Sequence, residues 1–165
     1  MASSVTKALA AGAALFGGLL AGVTLNRALV QLPAWQGIGV VAWADFTRAE
    51  NTGIGTIFYP ALGLAALLLT IGTAVAFRFD RDKRDACSLP IYASTALAMT
   101  WALVTRVVLV PAMFALKTAR GNAVELQQIF LSVARGSAVN DVLHVVTFTL
   151  SLWALAALCS GSKDS

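Results

Sequence analysis

The sequence predicts an all-α, polytopic membrane protein, with four transmembrane helices in an up-down bundle forming one domain over residues 1–165. Three observations carry that prediction. Hydrophobic residues make up 58% of the chain and charged residues 12%, with a mean hydropathy of +0.78, more apolar surface than a soluble 17.2 kDa protein can hide. Four apolar stretches are each long enough to cross roughly 30 Å of hydrocarbon as a helix. Their ends hold most of the Lys and Arg residues, where lipid headgroups would meet them. The net charge of +4 is scattered over those ends rather than gathered into a stripe, so the partner it implies is the lipid bilayer and not nucleic acid.

Helix one is expected over about residues 8–30. Lys7 followed by an apolar run of small residues looks like a signal peptide, but the run continues through Leu25, long enough to span, and is read as a retained helix. Helix two, about 53–77, has Pro60 in its first turns, where a missing N–H does least harm. Helix three, about 89–116, contains Arg106 and Pro111, and helix four, about 138–159, opens with Asn140, Asp141 and His144. Helices are the default because irregular backbone cannot face lipid. The glycines of helices one and two suit close helix packing. No internal repeat, low-complexity tract or domain boundary is visible.

The connections differ in character. Loop one, about 31–52, holds an apolar run from Ile38 to Trp43 that is too short to span and too apolar to be solvated. It is expected to form a lid or interfacial helix, with Trp35 or Trp43 facing inward. Loop two, Arg78 to Asp85, is short and highly charged, and loop three, about 117–137, is expected to be partly helical. Lys7, Arg78, Arg81, Lys83, Arg84 and Lys163 lie on one side and Arg48, Lys117, Arg120 and Arg135 on the other, a bias that favours cytoplasmic termini. Cys87 and Cys159 form no CxxC pair and there is one His, so free thiols, no metal and no cofactor are expected, and a bis-His haem is excluded.

Up-down threading brings the polar residues together at one membrane face. Asn26 and Arg27 end helix one, Tyr59 opens helix two, and Arg106 is placed about 15 Å below the end of helix three. Asn140, His144, Thr147 and Ser151 follow helical spacing as a single polar stripe, with Asp141 placed to hold His144 or to pair with Arg106 or Arg27. A charge among lipid tails is costly and usually marks function. His144, Arg106 and Asp141 are therefore the candidate catalytic residues, and Asn26, Arg27, Trp35, Trp43, Tyr59 and Asn140 candidate substrate-binding residues. Each has a plainer reading: an internal ion pair, a packed imidazole, a helix end, or an aromatic belt at the interface.

The run Leu32-Pro33-Ala34-Trp35, the run Phe58-Tyr59-Pro60-Ala61-Leu62, Arg106, and a fourth helix opening with Asn140 and His144 resemble the anthrone oxygenase-like (DUF1772) small four-helix membrane proteins over nearly the whole chain. The chain departs from that pattern around helix four, where the family carries a Trp and an Arg flanking the Asn and this sequence has His144. The resemblance implies a monooxygenase of secondary metabolism that takes an apolar aromatic polyketide and O₂ and oxidises an anthrone to an anthraquinone without cofactor. Such chemistry needs a base, a cation for the enolate oxygen and a flat apolar slot. His144, Arg106 and the aromatic residues would supply them. The competing class is a non-catalytic membrane assembly or binding protein, or a small transporter subunit.

Overall fold

The computed structural model describes residues 3–80, 85–119 and 122–160. Among them there is no strand. Four helical rods, Ser4–Ile38, Gly55–Phe79, Cys87–Thr118 and Ala123–Ser160, are long and apolar enough to cross a membrane, and the chain is an integral, multi-pass membrane protein. Arg81, Asp82, Lys83 and Arg84 of loop two, with Arg120 and Lys163, lie outside the described residues.

In chain order the elements are α1 (Ser4–Asn26), a π-helical turn (Arg27–Gln31), α2 (Leu32–Ile38), α3 (Val40–Glu50, between the first two rods), α4 (Gly55–Phe79), α5 (Asp85–Val104), a second π-helical turn (Thr105–Leu109), α6 (Val110–Thr118) and α7 (Ala123–Ser160). Proline explains both π turns. Pro33 and Pro111 donate no N–H, and each ring crowds the carbonyl four residues back, which belongs to Leu29 and Val107. The backbone absorbs the misfit by widening: the N–H of Leu32 reaches back five residues to the Arg27 carbonyl, and that of Val110 to the Thr105 carbonyl. Gly39, whose φ of 87° suits a residue without Cβ, separates α2 from α3.

The long elements pack antiparallel in a ring, α1 on α4 and α7, and α5 on α7 and α4. Close approaches fix the register: Gly12 meets Leu69, Gly72 meets Leu9, Gly18 meets Phe148, Gly63 meets Trp101 and Gly136 meets Leu109. At the end holding Ser3 a small apolar core (Ala10, Ala74, Phe77, Cys87, Ile91, Ala154, Leu158) closes the bundle. There Asp80 accepts bonds from the Ser3 N–H and the Thr6 hydroxyl, tying the start of α1 to the end of α4.

A second core lies at the opposite end, made of Trp43 and Ala44 of α3, Ala112 and Leu116 of α6, Ala119, and Leu126, Ile129, Phe130 and Val133 of α7. Arg48 locks it by donating to the carbonyls of Leu116 and Ala119 at the end of α6. Helix four is thus longer than the sequence suggests. It begins at Ala123 rather than near 138 and runs 38 residues, about 57 Å, because the polar first half of α7 packs on α3 and α6 instead of looping.

Charge spacing places the bilayer. No Asp, Glu, Lys or Arg occurs within 8–26, 51–77, 86–105 or 142–162, runs of about 20 residues or more, each enough to cross roughly 30 Å of hydrocarbon. Arg27, Arg106 and Asp141 therefore stand at one boundary, and Lys7, Arg78 and the end of α7 at the other. Beyond the first boundary α2, α3, α6 and the start of α7 form a helical cap. Single cysteines replacing Arg78 and Glu125, in a background with Cys87 and Cys159 changed to Ala, are expected to label from opposite sides of a sealed vesicle. Labelling of both from one side would refute the threading.

Candidate functional site

The polar stripe of α7 is buried: Ser137, Asn140, Asp141, His144, Thr147 and Ser151 all turn into the bundle. The cation that meets it comes from helix one. Arg27 in the first π turn donates Nη2 to Asp141 Oδ1 at 2.6 Å, with the Asp141 side chain 9% exposed and that of Arg27 31%. Its Nε is buried and has no partner among the described residues.

This pair forms the polar end of a cavity of about 50 Å³, counted as space for the centre of a water molecule, beneath the cap. Trp35 of α2, Trp43 of α3 and Phe130 of α7 supply aromatic walls, and Leu32 and Val133 add aliphatic ones. Trp43 stands edge-on to Phe130 at 5.0 Å, which fixes both rings. Ser137, one turn before Asp141, also lines the cavity, and its buried hydroxyl has no partner among the described residues. The loop-one segment is thus two helices over the polar half of the bundle, with Trp43 turned inward.

The other candidates separate. Arg106 is exposed on the outer surface and makes no hydrogen bond or ion pair among the described residues, a correction to the expectation that it joins Asp141 and His144 inside. That expectation measured depth from the apolar end of helix three, but α6 continues into the cap, so Arg106 sits at the bilayer boundary, where its long side chain can reach the headgroups. Its neighbour Thr105 turns inward instead and accepts a 2.6 Å bond from the Asn140 amide. Thr105→Val should therefore destabilise the protein by about 1–2 kcal/mol, since the Asn140 amide loses its partner while the side-chain volume is kept. Detergent denaturation of the variant beside wild type would measure it, and an unchanged midpoint would show that bond to be immaterial.

His144 is buried one turn below Asp141, its ring 4.8 Å from that of Trp101. It lines a different, smaller cavity and not the one under the cap. Tyr59 is exposed and donates to Glu50 Oε1 at 3.0 Å, a link between α4 and α3, and Asn26 is exposed at the end of α1. The structure thus gathers Arg27, Trp35, Trp43 and Asp141 around one cavity, leaves Asn140 and His144 beside it in the stripe, and puts Asn26, Tyr59 and Arg106 outside.

Thr105, Trp101 and Ser137 were missed in the sequence. Ser137 had a signal, since it extends the α7 stripe back by three residues from Asn140, whereas Thr105 and Trp101 read as ordinary members of an apolar helix. Among the described residues no group of three His, Cys, Asp or Glu is placed to hold a metal ion. No family model, curated protein or solved structure matches the chain.

Proposed function

We propose that the cavity beneath the cap binds a flat, lipid-soluble aromatic molecule bearing a ketonic or phenolic oxygen, and that the protein oxidises it with O₂ as anthrone oxygenases do. The observation that carries this reading is an Arg–carboxylate pair, with a spare buried Arg27 N–H, set in the wall of an aromatic-lined cavity. Asp141 would take the C–H proton opposite the ketone, and Arg27 would steady the enolate oxygen. The electron-rich enolate then reacts with O₂. Anthrone and O₂ give anthraquinone and one water, so the reaction balances without another reductant. The 50 Å³ cavity is smaller than a tricyclic ring system, so α2, carrying Leu32 and Trp35, would have to move aside.

That same size favours a second reading, a non-catalytic binding or assembly protein in which the pair only holds helix one to helix four. Oxygen uptake by the purified protein in lipid vesicles, supplied with an anthrone, separates the two. The oxygenase reading expects uptake matched one to one by quinone formation. Arg106→Gln should leave the rate within about twofold, because that side chain lies away from the cavity and surface substitutions rarely matter. No uptake above that of empty vesicles, with quenching of tryptophan fluorescence by the anthrone intact, would sink the oxygenase reading and keep the binding one.

A further inference from the structure

We infer that the small cavity at the centre of the bundle is a binding site for one water molecule, held between the His144 ring and the Thr147 hydroxyl. The cavity measures about 10 Å³ as space for a water centre, close to the least that one water occupies. It lies at mid-membrane: Gly17 on its wall is ten residues from both Lys7 and Arg27. His144 is 7% exposed and Thr147 6%, and neither ring nitrogen nor the Thr147 hydroxyl has a partner among the described residues.

The surrounding groups select the ligand. A neutral imidazole offers one N–H donor and one acceptor nitrogen, and a threonine hydroxyl can do either. Thr70 and Ser151, on the same wall, already donate their hydroxyl protons to the carbonyls of Ala66 and Thr147 and so face the cavity as acceptors. Water, with two donors and two acceptors, matches this set, whereas an apolar gas of similar size would leave the imidazole and the hydroxyl buried and unpaired, which is unfavourable. Towards the Ser3 end the buried hydroxyls of Thr73 and Ser94 are taken up by carbonyls of their own helices and that of Thr6 by Asp80, and the core around Ala10, Phe77, Ile91 and Leu158 is apolar, so the site is a buried pocket and not part of a channel. It stands independently of the oxidative reading, since it lies apart from the cavity under the cap.

His144 is the sole histidine, so its ring nitrogens are identified without ambiguity in ¹⁵N-labelled protein. In lipid vesicles, solid-state NMR transfer of magnetisation from water to the His144 ring is expected at short mixing times, and Ala66→Val, which fills the cavity wall, should reduce it severalfold. Should Ala66→Val fail to fold, Thr147→Val removes one of the water's partners at equal volume and should also reduce the transfer. Absence of transfer in the wild-type protein overturns the site. So does transfer left unchanged by the variant that folds, because the water would then lie elsewhere.

Discussion

Arg27→Leu is expected to destabilise the protein by about 2–4 kcal/mol, somewhat below the roughly 3–5 kcal/mol lost when one partner of a fully buried pair is removed. The discount follows from Arg27 being 31% exposed, while Asp141 is only 9% exposed and would be left charged or forced to take up a proton. The double variant Arg27→Leu, Asp141→Leu should recover most of that loss, because no uncompensated charge remains. On the oxygenase reading proposed above, oxygen uptake with an anthrone should be abolished in both, whatever their stability. Unfolding midpoints in detergent, read beside the uptake assay, separate the two roles of the pair. A double variant no more stable than Arg27→Leu would show that the pair is not what costs the single variant its stability. One that regained activity would remove both residues from the chemistry.

Most of the fold was legible because lipid leaves few alternatives. Apolar length gives the four spanning helices, and the charged residues that bound them mark the membrane planes. The cap was only half legible. Ile38 to Trp43 reads as apolar and short, but its partners Leu126, Ile129, Phe130 and Val133 lie more than eighty residues away in a stretch that reads as mixed loop. The site suffered from one misplaced origin. Arg106 and Arg27 look alike in sequence, each one residue past a polar side chain and followed by a proline, and both stand in π turns at one depth. Which of them faces Asp141 depends on helix rotation, which the widened turns alter locally and residue spacing does not encode. The α7 stripe was read correctly since ordinary 3.6-residue spacing holds throughout that helix.

Trp43→Ala should have the largest effect in the cap. The indole is 1% exposed, braced against Phe130 and shared between the cap core and the cavity wall. Truncating a buried Trp to Ala typically costs about 3–5 kcal/mol, through lost burial and the hole left behind. The cap has its own core, separated from the Ala10–Leu158 core by the polar stripe, so the loss should appear as local opening rather than global unfolding. Hydrogen exchange in lipid vesicles should then show amides of 40–50 and 123–133 losing protection while those of 145–158 keep theirs, with α7 fraying from its cap end only. Trp43→Phe, which retains an aromatic ring against Phe130, should lose far less. Anthrone quenching of the remaining tryptophans should weaken in Trp43→Ala, because the cavity loses a wall. Uniform loss of protection along α7 would mean that cap and bundle unfold as one unit, and that Trp43 stabilises the spanning helices as well as the cavity above them.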